Sequence, residues 1–351
     1  MNTTLIILGA IILIFTLLPL IRLDFWTFRV FEYPRIQKLI LSFLWIVFWI
    51  ILSDFTNTTL WIFLGLIILN IFYLLYQILP FTILGKKQVL KAIDIEDSNS
   101  IKVMISNVYE DNNNYSGCIK VIRDNNPDLL LLLETNHEWD QNTKELENDY
   151  AYHVKVPIDN TYGMLFYSKF PLKDAEIKFL VEDDIPSIDC KVQLASGQLV
   201  QVYAVHPTPP VPNENPRSTE RDKELLIIAE KAKKSKLPVI VIGDLNDVAW
   251  SYTTELFLKM SGLLDPRRGR GFYNTFHAKQ PLMQFPLDHA FISADFKLRE
   301  LRKLDNYNSD HYPIFVHIQY EKRAEKEQEE NQLEATQSDR EEATEKRNAD
   351  T

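Results

Sequence analysis

Five leucines lead directly into a carboxylate in the stretch Leu129-Leu130-Leu131-Leu132-Leu133-Glu134-Thr135. A short, continuous apolar run of this kind is typical of a strand that is buried on both faces. Glu134 then stands at the end of that strand, where a charged group is costly unless it has a partner or binds an ion. In isolation, the same Leu-Leu-Glu-Thr sequence also fits a helix cap or a loop carboxylate.

Further clusters of amide, carboxylate and imidazole side chains lie at the ends of other apolar runs. They are Asn107, His206, Gly243-Asp244-Leu245-Asn246-Asp247, Asp288-His289 and Ser309-Asp310-His311. Enzymes with α/β folds build their sites from side chains at strand ends that meet at one edge of a sheet. The recurrence therefore predicts one dispersed site with metal-binding and acid–base groups, and it indicates a hydrolase.

Two of these clusters also have informative neighbours. Gly243 has no side chain and lets the backbone turn sharply, so that Asp244 and Asn246 can enter one cleft; a plain Asp-Leu-Asn turn is the alternative. Pro313 keeps the residue before it extended and places His311 just before a final strand. A lone Asp-His pair is more often a hydrogen-bonded surface pair.

The hydrophobic pattern between these clusters mixes strands with a few helices. It predicts strands at 101–108, 129–133, 163–167, 187–194, 198–205, 239–242, 288–293 and 312–318, and helices at 117–125, 217–234 and 253–261. Ser196-Gly197 predicts a hairpin turn between two of the strands. Several hairpins and few helices argue against a doubly wound parallel sheet.

In their order and strand context, these motifs resemble the endonuclease/exonuclease/phosphatase superfamily, which has the deoxyribonuclease I-like fold. The resemblance covers roughly Ser100 to Gln319, and Gly-Asp-Leu-Asn and Ser-Asp-His are its most specific parts. It implies an α/β fold in which two packed mixed β-sheets are flanked by helices as a four-layer sandwich. Related members include nucleases, inositol-polyphosphate phosphatases and neutral sphingomyelinases.

Phosphate-ester hydrolysis needs an activated water, neutralisation of charge on the phosphoryl oxygens and help for the leaving oxygen. A hard cation such as Mg²⁺ (or Mn²⁺) supplies the neutralisation and prefers oxygen ligands. The resemblance implies that Glu134 is the principal metal ligand, with Asn107 beside it and Asp310 close to the metal.

The resemblance also implies roles in catalysis for five residues. Asp244 orients or deprotonates the water, Asn246 holds the phosphate, His311 is the catalytic imidazole, Asp288 orients its ring, and His206 stabilises the phosphate or protonates the leaving oxygen. The chain departs from the family pattern at one point. Nucleases of this type pair the histidine that corresponds to His206 with a glutamate, and no matching glutamate stands near Thr161-Tyr162-Gly163.

Several arginines are candidates for contacts with substrate phosphate, because guanidinium groups match phosphate oxygens. They are Arg217, Arg221, Arg268 and Arg270, with Arg267 beside them. Each could equally be a solvated or ion-paired arginine. The glycines in Arg268-Gly269-Arg270-Gly271 would make that loop flexible enough for a lid.

The N-terminal part of the chain differs sharply from the rest in composition. Residues 3–21 contain no charge, and 36–52 and 60–84 repeat this apolar character. Each stretch has about the 20 apolar residues that cross a bilayer, so we predict an all-α segment of three transmembrane helices. The alternatives are a signal peptide for the first stretch, which lacks a basic start and a cleavage site, and buried core helices for the others.

Basic residues near the predicted spans set an expected orientation. Arg22, Arg29, Arg35 and Lys38 lie in or beside the first loop, and Lys86, Lys87 and Lys91 follow the third span, whereas 53–59 has no lysine or arginine. This predicts a multi-pass membrane protein with a cytoplasmic catalytic domain. An extracytoplasmic domain is the alternative, because some similar members with three leading helices act outside the membrane on lipid-linked phosphates.

The last residues, 321–351, contain six basic and eleven acidic residues and no aromatics, and they carry half of the net charge of −10. Such a segment buries too little apolar surface to offset its ordering entropy. We therefore divide the chain into three transmembrane helices (1–85), a linker (86–99), a catalytic domain (100–320) and a disordered or loosely helical tail (321–351).

These patterns favour a membrane-anchored, metal-dependent phosphoesterase that acts on a lipid, lipid-linked or small-molecule phosphate ester by attack of an activated water. Nucleic-acid binding usually requires a basic, aromatic-rich groove. The sequence has no dense stripe of lysine and arginine, which argues against a nucleic-acid substrate. An Mg²⁺-dependent nuclease is the first alternative. An inactive membrane-bound binding scaffold is the second.

Overall fold

The computed structural model describes residues 2–351. Four helices begin the chain: α1 (Asn2–Leu17), α2 (Trp26–Arg29), α3 (Arg35–Leu52) and α4 (Thr58–Ile78). With their short 3₁₀ extensions, three helical segments are long and apolar enough to cross a membrane, namely Asn2–Ile21, Arg35–Leu52 and Thr58–Phe81. The three predicted apolar helices are therefore confirmed as helices.

The three long helices pack around a small apolar core of their own. Trp45 and Trp49 of α3 and Leu60 and Ile67 of α4 are buried there, together with residues of α1. Large apolar side chains on the outer faces remain exposed, as at Phe72, which is 66% exposed. Three apolar helices with apolar outer faces are the arrangement expected in lipid, where the outer face meets acyl chains.

The strands that follow have these bounds: β1 (Ser100–Asn107), β2 (Leu129–Leu133), β3 (Tyr152–Val156), β4 (Met164–Ser168), β5 (Leu172–Phe179), β6 (Pro186–Gln193), β7 (Leu199–Ala204), β8 (Val239–Asp244), β9 (Asp288–Ile292), β10 (Phe296–Lys303) and β11 (Ile314–Tyr320). They form a six-stranded sheet in the order β10-β11-β1-β2-β4-β3 and a five-stranded sheet in the order β5-β6-β7-β8-β9.

Both sheets are mixed. The pairs β1/β2 and β7/β8 are parallel and the other pairs are antiparallel. One apolar cluster fills the space between the sheets, with the leucines of β2 meeting valines and isoleucines of β7 and β8. Strands buried on both faces read as continuous apolar runs, which explains the sequence of β2. The predicted α/β fold of two packed mixed sheets flanked by helices is confirmed.

Six further helices cover the outer faces and the C-terminus: α5 (Tyr115–Asn125), α6 (His137–Asn142), α7 (Thr219–Lys234), α8 (Tyr252–Ser261), α9 (Ala324–Gln328) and α10 (Gln337–Arg347). In the tail, where we expected disorder or loose helix, α10 packs on the domain. Ala343 is buried against Leu226 of α7 and Leu256 of α8, and a capping box closes the helix start at Thr336.

Three strands have no counterpart in the sequence-based prediction, and all three lie at sheet edges. They are β3, β5 and β10. Most residues of β5 are exposed, so its sequence lacks the alternation that marks a half-buried strand. Part of the predicted linker, 86–99, covers the outer edge at β10, where Ala92 N donates to the Leu298 carbonyl at 2.9 Å.

The segment between α1 and α3 docks directly on the catalytic domain. Arg29 of α2 is buried and pairs with Glu32 at 3.1 Å and with Asp222 of α7 at 3.6 Å. Backbone bonds join the same surfaces, since Ser218 N donates to the Asp24 carbonyl at 2.8 Å. The helical segment and the domain are thus joined by buried ionic and backbone contacts.

Candidate metal and acid-base site

The ends of β7 and β8, two neighbouring parallel strands of the five-stranded sheet, approach each other because Gly243 permits close backbone contact. A Cβ atom at Gly243 would lie 1.8 Å from the Val205 carbonyl oxygen, and its φ of +152° is unfavourable for other residues. The end of β8 therefore lies against the residues that follow β7. This brings Asp244 beside His206 at the same edge of the sandwich.

Glu134 leaves β2 in a left-handed conformation, with φ of +58°, which non-glycine residues adopt infrequently. The turn directs its side chain to Asn107, whose Nδ2 donates to Glu134 Oε1 at 2.6 Å and to Asp244 Oδ2 at 3.1 Å. Asn107 thus connects a carboxylate of the six-stranded sheet with one of the five-stranded sheet. The structure places these three predicted residues together.

His311 lies between two carboxylates. Its Nδ1 is 2.8 Å from Asp288 Oδ2, and its Nε2 is 3.6 Å from Asp244 Oδ2. Burial alone would lower the pKa of His311, but Asp288 and Asp244 outweigh it and raise the pKa to about 10. The carboxylate at Nδ1 fixes the ring orientation and leaves Nε2 directed at Asp244.

The cluster holds more buried negative charge than its own cations balance. Burial, with smaller contributions from Asp310 and Asp244, raises the pKa of Glu134 to about 7. Asp288 Oδ1 and Asp310 Oδ1 are buried and have no hydrogen-bond partner within the described chain. Buried carboxylate oxygens without partners are costly, and a hard divalent cation prefers such oxygens. The residues present therefore fit a divalent metal.

The tightest acidic group differs from the predicted ligand set. Single ligand atoms of Asp244, Asp288 and His311 lie within 4.8 Å of one another, whereas the predicted ligands are Asn107, Glu134 and Asp310. Because Nδ1 of His311 is already bonded to Asp288, we interpret this group as a carboxylate–imidazole hydrogen-bond network. The neighbouring Glu134 and Asp310 remain the better candidates to hold a cation.

His206 is buried at the same edge, and within residues 2–351 no carboxylate forms a hydrogen bond with its ring. Its Nδ1 has no hydrogen-bond partner among residues 2–351, and burial lowers its pKa to about 4. The ring of Tyr162 lies 5.2 Å from the imidazole between ring centroids, and its hydroxyl donates to Glu214. A tyrosine–glutamate pair therefore occupies the neighbourhood in which the family pattern has a glutamate.

Asn246 already forms hydrogen bonds within the protein. Its Nδ2 donates to the Pro207 carbonyl at 3.0 Å, and its backbone N donates to Asp244 Oδ1 at 2.9 Å. These bonds hold the loop after β8 against the proline-rich loop after β7. The second amide proton of Nδ2 and the side-chain oxygen Oδ1 form no hydrogen bond within residues 2–351 and are available to a ligand.

The structure does not bring the candidate arginines to this cluster. Arg221 is fully buried, pairs with Asp222 and Asp247, and donates to the Asn246 carbonyl. Arg270 donates to the carbonyls of Pro266 and Val89. Arg217 is exposed beside Phe25, and Arg268 stacks on Phe81 near the apolar helices. The expectation that Arg221 and Arg270 bind substrate phosphate is therefore corrected, because their donors serve the fold.

Most of the residues that surround the site have no signal in the sequence. Tyr33, between the first two apolar helices, donates to the Asn246 carbonyl at 3.0 Å. Ser309 Oγ donates to the Asn107 carbonyl at 2.8 Å, and Phe276 lies 4.9 Å from the His311 ring. Each contact joins distant parts of the chain. Of these residues, only Ser309 was indicated by the sequence, through the Ser-Asp-His motif.

Two packed mixed sheets with carboxylates, an amide and imidazoles at one edge define a class of α/β hydrolases that act with acid–base groups and a metal. The chain matches the endonuclease/exonuclease/phosphatase family over residues 104–311, more than half of its length, and belongs to that family. Its enzymes generally depend on a divalent metal, and this chain is a hydrolase of phosphate ester bonds with an acidic and histidine cluster.

Solved structures of this fold are similar to the chain at low sequence identity. D. rerio TDP2 complexed with single-strand DNA product is 18% identical, with a TM-score of 0.51 over 62% of this chain and 98% of that one. The human nocturnin catalytic domain with bound sulfate is 20% identical, with a TM-score of 0.51 over 65% and 97%.

An endonuclease/exonuclease/phosphatase from Bacteroides vulgatus is 18% identical, with a TM-score of 0.51 over 63% of this chain and 99% of that one. At these identities the likeness supports the fold alone. No curated protein matches the chain in sequence.

Proposed function

We propose that this protein is a membrane-anchored, divalent-metal-dependent phosphoesterase whose substrate is a lipid or lipid-linked phosphate ester. Residues 1–85 would form the anchor, 86–99 the linker, 100–320 the catalytic domain and 321–351 an accessory tail. The single observation that carries the choice of substrate is the bond from Tyr33 to the Asn246 carbonyl. It ties the loop of the candidate site to the segment between two apolar helices, and so to the surface of a bilayer.

A second contact supports the same position. Gln37, in the first turns of α3, donates to the Leu282 carbonyl at 2.8 Å, and the Leu282 side chain is 85% exposed. This loop continues into Phe276, which packs against His311. An exposed apolar loop tip beside an apolar helix is typical of a membrane-facing surface. A lipid phosphate held in the bilayer would therefore lie close to the site.

The residues have distinct proposed roles. Glu134, Asp310 and Asn107 would hold the metal, which neutralises charge on the phosphoryl group when bound. Asp244 would orient and deprotonate the attacking water, and Asn246 would donate its free amide proton to a phosphoryl oxygen. His311, oriented by Asp288, would donate a hydrogen bond to the phosphate as an imidazolium.

His206 would play a different part from His311 because its environment differs. Burial keeps its ring neutral, with a pKa of about 4, so it would act as a neutral hydrogen-bond donor to the phosphate or leaving oxygen. The pKa of His311 is raised and that of His206 is lowered. Such opposite shifts within one site allow one histidine to act in its charged form and the other in its neutral form.

The test is a comparison of substrates with the full chain purified in detergent. We expect Mg²⁺- or Mn²⁺-dependent hydrolysis of a lipid phosphodiester or a lipid pyrophosphate, abolished by Glu134→Ala. Glu138→Ala changes an exposed glutamate on α6 and serves as the matched control, which should remain active.

Each alternative has its own signature. Faster metal-dependent nicking of plasmid DNA than of either lipid would favour a nuclease; the D. rerio TDP2 structure with a DNA product makes this the alternative to measure. If calorimetry detects no Mn²⁺ binding, no phosphoester is cleaved and Glu134→Ala changes nothing, the protein is a binding scaffold.

A further inference from the structure

A cavity of about 410 Å³ lies where the ends of the three apolar helices meet the catalytic domain. Leu20 follows the first helix, Arg35 begins the second, and Tyr76 stands near the end of the third; Trp250 and Arg268 line it from the domain. Asp244, Asp288 and His311 do not line it. The cavity is therefore separate from the candidate catalytic site.

Two cations in this cavity form no ion pair within the described chain, and the carboxylates near them, Glu32 and Glu255, have closer cationic partners. Within residues 2–351, the guanidinium groups of Arg35 and Arg268 form neither an ion pair nor a side-chain hydrogen bond, and Nε of Arg268 is buried without a partner. The Cζ atom of Arg268 lies 5.2 Å from the Phe81 ring centroid, so the ring covers one face and leaves the N–H edge free. Leaving half-buried guanidinium donors unsatisfied is costly.

The carboxylates that line the cavity are already in use. Glu32 accepts from Arg29 at 3.1 Å and from Tyr252 N at 3.1 Å, and Glu255 pairs with Lys259 at 3.2 Å. A third cavity arginine, Arg22, is likewise paired, with Glu342. Arg35 and Arg268 are therefore the charged side chains of the cavity that have no ion-pair partner among residues 2–351, and both are positive.

We propose that this cavity binds a phosphate group and that a membrane lipid headgroup supplies it. Guanidinium donors match phosphate oxygens in geometry and charge. The cavity is built from the ends of apolar helices, and tyrosines such as Tyr73 and Tyr76 line it, which are enriched at the membrane–water boundary. Basic pockets at this level of a helical bundle are suited to anionic headgroups. The bound lipid would fix the domain against the bilayer.

The experiment measures thermal unfolding of the full chain in detergent, with EDTA present so that hydrolysis does not contribute. The probes are dioctanoyl phosphatidic acid, dioctanoylglycerol, which has the same tails without phosphate, and inorganic phosphate. The variants are Arg35→Gln and Arg268→Gln. The control is Arg123→Gln, which removes a surface arginine paired with Glu145 and Asp149. Arg268→Lys keeps the charge and guards against a folding defect.

We expect phosphatidic acid to raise the Tm of the wild type and of Arg123→Gln saturably, and dioctanoylglycerol to have no such effect. Each glutamine variant should bind roughly tenfold more weakly or worse, because a charged hydrogen bond is lost, and Arg268→Lys should recover part of the affinity. Inorganic phosphate that stabilises equally, with the same arginine dependence, would overturn the lipid source. Stabilisation that is absent, or equal in all variants, would overturn the site.

Discussion

At the scale of single residues, the pair formed by His311 and Asp288 is the most directly testable part of the site. Asp288→Asn removes the negative charge 2.8 Å from Nδ1, so the pKa of His311 should fall from its raised value. With proton transfer or charge stabilisation impaired, we expect kcat to fall by roughly 10²- to 10⁴-fold. The alkaline limb of the kcat–pH profile should also move to lower pH.

Asp295→Asn is the matched control for that change, because Asp295 lies just after the same strand and its carboxylate accepts a hydrogen bond from the Ser293 hydroxyl. Its activity and pH profile should resemble the wild type. An Asp288→Asn enzyme with normal kcat and an unmoved pH limb would contradict the orienting role.

A second residue-scale prediction concerns Glu224, which is buried on α7 with Oε1 unpartnered. Burial, and then the nearby Glu182, raises its pKa from 4.5 to about 8. The folded state thus binds this proton more tightly than the unfolded state does, so the contribution to stability is complete below about pH 4.5 and is lost as pH rises through about 8. Glu224→Gln should remove this loss.

Thermal unfolding at about pH 5 and about pH 9 measures the effect, with each kcal/mol worth about 2–4 °C in a domain of roughly 150–250 residues. The Tm of Glu224→Gln should depend less on pH than that of the wild type. Glu138→Gln, at an exposed position, should keep the wild-type dependence. Parallel pH profiles for wild type and Glu224→Gln would refute the assignment.

The residue types and order of the candidate site could be read from the sequence because each residue stands at one end of an apolar run. That reasoning identified Asn107, Glu134, Asp244, Asp288 and His311. The hydrogen bonds between these residues could not be predicted from the sequence, because they join distant positions. Asn107 and Asp244, for example, are 137 positions apart. Such contacts depend on how the two sheets pack, which no local pattern specifies.

At the scale of elements, the same reasoning identified the central strands and the edge strand β9, and it missed the other three edge strands and the packing of the tail helix on the domain. β2 and β8 are buried on both faces and carry continuous apolar runs, whereas β5 is largely exposed and reads as a loop. The tail helix α10 is rich in charged residues and buries only Asp339 and Ala343. Its docking therefore rests on the small apolar contact of Ala343 and on ion pairs. Lys346 contacts Asp24 at 2.8 Å and Asp222 at 3.0 Å.

Docking of α10 can be tested with Ala343→Glu, which places a carboxylate where Ala343 is 1% exposed. Burying an unpaired charge costs a few kcal/mol or more, so we expect the helix to detach and its amides to exchange hydrogen faster. Thr344→Glu, at the adjacent exposed position, is the control and should keep exchange slow. Equal exchange across residues 337–347 in both variants would contradict the docking.

At the scale of the whole molecule, the helical segment and the catalytic domain form one continuous structure. Phe81, at the end of the last apolar helix, packs with Val248, Trp250 and Phe285 of the domain, and α10 reaches Asp24 between the first two helices. The domain is therefore held in one orientation relative to the three apolar helices, at the end of the helices where Arg29 and Lys87 lie. In a membrane, the domain would therefore lie on the same side as these basic residues.

Because lysine and arginine are retained on the cytoplasmic side, we predict that the domain faces the cytoplasm. Protease added to intact cells should leave residues 86–351 uncut, and the same protease should cut them after the membrane is broken. A second reporter, a cysteine introduced at Thr56 in the uncharged loop between α3 and α4, should react with a membrane-impermeant maleimide in intact cells, since the two native cysteines are buried. Cleavage of the domain in intact cells together with an unlabelled Thr56→Cys protein would place the chemistry outside the membrane and restrict the substrate to lipids of the outer face.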